Sequence, residues 1–77
     1  MSDEQMFSTP SPELLGNALR SLRRRRGLSQ TELAERVGIH RSYLSQLENG
    51  DLSDQLKRVL DLLVALDGQL TIRFGSS

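Results

Sequence analysis

The sequence predicts a single, mostly α-helical domain of four or five helices. It also predicts one short C-terminal β-strand that pairs across a homodimer. Three observations carry this. Seventy-seven residues hold one small domain, because domains run to roughly 100–200 residues. Fifteen of the 28 apolar residues are leucine, and the aromatics are only Phe7, Tyr43 and Phe74, a balance that favours helices over a β-sandwich. Apolar residues recur at helical spacing until Gly68 and at spacing two beyond it, so a helical period gives way to a strand period.

Residues 1–11 are polar apart from Met1, Met6, Phe7 and Pro10, and read as a flexible arm. Ser11-Pro12-Glu13 is a helix start: a capping hydroxyl, proline in the first turn and an acid beside the positive end of the dipole. Leu14/Leu15, Ala18/Leu19 and Leu22 form one apolar stripe. The helix should end near Arg26, with a run of arginines on its negative end and Gly27 beyond. Ser29-Gln30-Thr31-Glu32 is a capping box that starts a second helix at Gln30. Leu33, Ala34 and Val37 are expected on its inner face, and Gly38 ends it.

A third helix runs from Arg41 to about Asn49 with Leu44 and Leu47 inward, and Asn49-Gly50 closes it. Ser53 caps a fourth helix through about Asp67. Leu56, Val59, Leu60 and Leu63 give it an apolar face that Leu62 and Val64 widen. Gln69-Leu70-Thr71-Ile72-Arg73-Phe74 alternates polar and apolar, a strand signal. An unpaired strand must find a neighbour, and the nearest candidate is the same strand of a second copy. The body is therefore 12–67, with a dimerisation strand and frayed tail over 68–77.

The formal charge is zero, but it is patterned. Residues 1–19 hold three acids and no base, residues 20–41 hold seven arginines against Glu32 and Glu35, and residues 42–77 hold five acids against three bases. A basic middle between acidic ends bears on partners more than the total does. With no cysteine, a disulfide scaffold is excluded and a cytoplasmic address fits. One histidine without cysteine leaves no ordinary zinc site. No apolar run approaches the roughly 20 residues of a membrane span, and Asp3 and Glu4 do not suit a signal peptide. Ser29, His40, Ser45 and Asp51 form no recognisable set of nucleophile, base and oxyanion donors. No enzyme, cofactor, metal or small-molecule substrate is expected.

Two short helices around a glycine turn form the helix-turn-helix layout, whose second helix is free to enter the major groove. The N-terminus of helix two, at Gln30, can hold a phosphate on its backbone N–H groups. Ser29 can serve as a cap, as a DNA contact or as both. If Leu44 and Leu47 face inward, Arg41, Ser42, Ser45 and Gln46 lie outward. Arginine pairs with guanine O6/N7 and glutamine with adenine N6/N7. Tyr43 has three readings: along a phosphate, against a thymine methyl, or packed on the protein. His40 precedes helix three, as a poor cap or within reach of a phosphate.

The stretch GLSQTELAERVGIHRSYLSQLENG resembles the helix-turn-helix core of the Cro/cI-type repressors, the XRE family, over about Leu14 to Leu66. With LGNALRSLRRRR before it and LDGQLTIRF after a fourth helix, the chain resembles more closely the HipB-type antitoxins. The resemblance implies a lambda-repressor-like fold and a homodimer sharing a sheet through Leu70, Ile72 and Phe74. It implies DNA contacts at Ser29, Gln30, Thr31, His40, Arg41, Ser42, Tyr43, Ser45, Gln46 and Asn49, with bases read from Arg41, Ser42 and Gln46. It also implies a largely buried ion pair between Arg23 and Glu48. The implied partners are double-stranded DNA with a palindromic operator and a HipA-type serine/threonine kinase toxin. The implied function is a repressor of its own operon that is also an antitoxin. The alternative is a stand-alone XRE-family regulator without a toxin.

Overall fold

The computed structural model describes residues 5–8 and 11–75. The chain runs β1 (Gln5–Ser8), α1 (Pro12–Arg25), α2 (Gln30–Val37), α3 (Arg41–Glu48), α4 (Asp54–Ala65) and β2 (Thr71–Phe74). Each start obeys a local signal. The Ser11 hydroxyl accepts from the Leu14 N–H at 3.2 Å, and the Ser53 hydroxyl accepts from the Leu56 N–H at 3.2 Å. These caps satisfy donors that the first turn leaves orphaned. The α2–α3 turn needs φ +83° at Gly38, a left-handed backbone that glycine adopts without strain.

The core is small. Ala18, Ala34, Leu44, Leu52 and Leu60 are buried, and so is one charged residue, Glu48. Gly16 is buried where α1 crosses α3, and its missing side chain lets the two backbones meet. α3 also packs on α2, around Ala34 and Leu44. An apolar cleft of about 200 Å³ opens between α1, α3, α4 and β2. It is lined by Leu15, Leu19, Leu22, Leu47, Leu52, Leu56 and Ile72.

Several sequence expectations are corrected. The arm is not featureless: Gln5–Ser8 forms a strand antiparallel to β2, with Phe7 opposite Ile72. β2 thus has a hydrogen-bonding neighbour within its own chain. The remainder of the arm, 1–4 and 9–10, lies outside the described residues, as do 76 and 77 of the tail. Val37 is 64 % exposed although Ala34, on the same expected face of α2, is buried. On α4 the inward line is Leu56, Leu60 and Leu63, whereas Val59, Leu62 and Val64, with Leu66 just past the helix end, are exposed. One helix beside a thin domain can bury one stripe, and the second stripe stays outside.

Candidate nucleic-acid interface

The capping box of α2 is complete. The Ser29 hydroxyl accepts from the Glu32 N–H at 3.0 Å, and the Glu32 carboxylate accepts from the Ser29 N–H at 2.9 Å. Those bonds, the backbone one first, hold the Glu32 carboxyl below its usual range. Ser29 and Thr31 are exposed at the start of α2, and Gln30 is half-buried. His40 occupies the N-cap position of α3 without a side-chain capping bond.

α3 turns Leu44 and Glu48 fully inward and Leu47 partly so. Arg41, Ser42, Gln46 and Asn49 are exposed, and Ser45 is half-buried on the flank. Tyr43 is 49 % exposed. One side of α3 is therefore polar, exposed and rich in donors. That composition suits base edges and phosphates.

Behind this face sits the charged centre of the domain. Glu48 is only 1 % exposed. The Arg23 guanidinium grips its carboxylate with two bonds, Nε to Oε2 at 2.7 Å and Nη2 to Oε1 at 2.9 Å. Arg23 also donates to the Leu28 carbonyl at 2.8 Å, so one side chain joins α1, the following turn and α3. The Arg23 bonds, with help from Gln30 and Arg20, hold the Glu48 carboxyl below its usual range against the opposing effect of burial. No buried side-chain nitrogen or oxygen among the described residues lacks a partner.

Two further residues join this centre. The Gln30 side chain donates from Nε2 to Glu48 Oε1 at 3.1 Å and accepts from Arg41 Nη1 at 3.0 Å. Arg20 places Nε 3.5 Å from Glu48 Oε1. Its Nη2 donates to the Glu48 carbonyl at 3.2 Å and to Asn49 Oδ1 at 2.9 Å. The sequence offered Gln30 as a DNA contact and not as a partner of Glu48, and it did not single out Arg20. The available signal was spacing: Arg20 lies one turn before Arg23, on the same face of α1. Of the other arginines, Arg25 stacks over the Phe74 ring, 4.9 Å from its centroid.

A family described as a helix-turn-helix domain matches residues 14–71. The chain is 32 % identical over 72 residues to the antitoxin HipB of Escherichia coli strain K12, covering 94 % of this chain and 78 % of the relative. It is equally identical, over the same share of this chain, to the antitoxin HipB of Escherichia coli O6:H1, where it covers 73 % of the relative. No solved structure gives a significant match. On these matches the chain belongs to the HipB-type antitoxins of the helix-turn-helix family.

Proposed function

We propose that the chain is a sequence-specific, homodimeric DNA-binding repressor and the antitoxin of a HipBA-like pair. It acts by binding, not catalysis, in the cytoplasm. It represses its own operon and holds a HipA-type kinase toxin. The observation that carries this is the polar, exposed face of α3 set on a buried ion pair. α3 enters the major groove, where Arg41, Ser42 and Gln46 read bases. Ser29, the backbone at Gln30 and Thr31, and His40, Tyr43, Ser45 and Asn49 lie along the phosphates. Two recognition helices about 34 Å apart read a palindrome with half-sites one turn apart.

Arg41→Ala is expected to weaken operator binding by about 1–3 kcal/mol and to relax one base position. Equal losses on operator and random duplex, measured by competition, would contradict a base-reading role. Operator affinity should fall steeply with salt, because each neutralised phosphate releases counterions. A flat salt titration would remove α2 and α3 from the DNA backbone.

For the dimer, the exposed stripe of Val59 and Leu62 on α4, continued by Leu66 at its C-cap, joins Leu70, Ile72 and Phe74 as the contact surface. Ile72 also lines the chain's own cleft. Leu62→Asp should yield a monomer by light scattering, and an unchanged dimer mass would exclude α4. Co-expression with a HipA-type kinase from the same host separates the two regulatory readings. A stable complex makes the chain an antitoxin, and no complex makes it a stand-alone regulator.

A further inference from the structure

We infer that Asn49, followed by Gly50 at the end of α3, is a site of spontaneous deamidation, and that the turn clasped by Arg20 sets its rate. The product exchanges a neutral hydrogen-bond donor for a carboxylate. The chemical step stands on the turn alone, whereas its effect on binding rests on the DNA contact proposed for Asn49.

The chain has two asparagines, Asn17 and Asn49, and asparagine is a thermolabile side chain. Asn17 lies inside α1, ahead of buried Ala18. Asn49 is exposed at the C-cap of α3 and precedes a glycine. In the reaction the Gly50 nitrogen gives up its proton to solvent base and attacks Cγ of Asn49. The bond from Cγ to Nδ2 breaks, and ammonia leaves. The cyclic imide then adds one water and opens to aspartate or to isoaspartate. No oxidant, reductant or cofactor is consumed. Glycine hinders this attack least, because it has no Cβ and its backbone turns most freely. The turn itself demands glycine there, with φ +83° at Gly50.

The closed turn is not the reacting state. Ring closure needs the Gly50 nitrogen swung alongside Cβ of Asn49. At a ψ of 5° it eclipses the Asn49 nitrogen instead. The Gly50 N–H donates to the Leu47 carbonyl at 3.0 Å, and the Asp51 N–H donates to the Gln46 carbonyl at 2.9 Å. Gly50 also backs onto α1, where a Cβ would stand 3.1 Å from the Glu13 Cα. Arg20 Nη2 donates to the side-chain oxygen, Asn49 Oδ1, at 2.9 Å. Deamidation therefore proceeds from a locally opened turn, and the population of that state sets the rate.

The product is unsuited to DNA. A carboxylate at a helix C-terminus opposes the dipole. It has no N–H for a phosphate oxygen and brings a like charge to it. A free chain thus loses DNA affinity as it ages, and a bound duplex slows the ageing by holding the turn closed.

The test incubates the full chain at neutral pH and follows Asn49 and Asn17 by peptide mass spectrometry. Conversion is expected at Asn49 and not at Asn17, more slowly than in the same chain unfolded in urea. A folded chain that never converts at Asn49 while the unfolded one does overturns the site. Equal rates in the two overturn the gate. Isomerisation at Asp67 leaves the mass unchanged and does not confuse the reading. Arg20→Met should speed conversion about two- to fivefold, the worth of one exposed polar pair, and an unchanged rate overturns the clasp. If Arg20→Met does not fold, the unaltered chain decides. Across sub-denaturing urea its deamidation should rise with hydrogen exchange at the Gly50 amide, and a rate that ignores that exchange overturns the gate.

For the effect on binding, a duplex selected by the unaltered chain from a randomised library is the probe. Asn49→Asp, which stands for one product, should bind it at least about tenfold more weakly, the size of one hydrogen bond to a charged group. Saturating duplex should slow conversion of the unaltered chain, and equal rates with and without it overturn the protection. If the unaltered chain binds no duplex, the DNA reading falls and the mass measurement still decides the site. If it binds and Asn49→Asp binds as tightly, the effect on binding falls and the DNA reading stands.

Discussion

Glu48→Ala is expected to lower folding stability by about 3–5 kcal/mol, the usual result of removing one partner of a buried pair. The loss does not measure what the pair adds over an apolar core. It measures what remains behind: a guanidinium on Arg23 whose side chain is only 9 % exposed, and a Gln30 amide with no acceptor for its inner N–H. In a domain of this size each kcal/mol moves Tm by roughly 4–8 °C, so the variant should melt more than about 10 °C lower. A melting shift near zero at neutral pH would show that α1 and α3 are held without the pair.

The same carboxylate gives a pH test. Its folded-state pKa lies below its ordinary value, chiefly through the Arg23 hydrogen bonds. The stability it contributes is therefore complete above the unfolded value, about 4.3. It is lost as pH falls through the folded value. Thermal melts of the unaltered chain and of Glu48→Ala should differ most at pH 7 and converge on acidification below about pH 4. A gap that persists unchanged into acid would assign the loss to packing and not to charge.

Sequence signals with a short reach were legible. α2 begins at Gln30 and ends at Val37 because its capping box and its terminating glycine are both local. The period-two alternation of Thr71–Phe74 puts Ile72 and Phe74 on the inner side, as a strand pattern demands. What escaped depends on contacts distant in the chain. Gln5–Ser8 spans four residues, too few to show a period, and its partner lies beyond all four helices. The side chain of Gln30 is assigned by the approach of Glu48, eighteen positions away. Arg20 and Arg23 are alike in sequence, and only the crossing of α1 over α3 separates a bidentate clamp from a clasp on Asn49. In the candidate interface, the exposed face of α3 followed from its apolar period, whereas the hydrogen bonds behind it did not.

The crossing itself rests on Gly16, and Gly16→Ala is the second change with a large expected effect. Intrinsic propensity favours alanine inside a helix by about 1 kcal/mol, so a helix considered alone would be stabilised. Here a Cβ would stand 2.6 Å from the Glu48 carbonyl oxygen and 2.7 Å from that of Leu47. Both are backbone atoms on a packed helix, and neither can swing aside as a side-chain tip can. α1 and α3 must move apart, and that movement stretches the bonds from Arg23 to Glu48 at 2.7 and 2.9 Å. Overpacking of this kind costs about 1–3 kcal/mol, and strain on the buried pair adds to it. The net expectation is destabilisation despite the better helix former, read as a lower denaturation midpoint in urea. A raised midpoint would show that the two helices separate freely, and then the buried pair could not hold α3 at a fixed height above α1. The two substitutions should also be less than additive when combined, because Gly16→Ala already loosens the pair that Glu48→Ala removes. Full additivity would mean that the close approach and the ion pair hold the recognition helix independently.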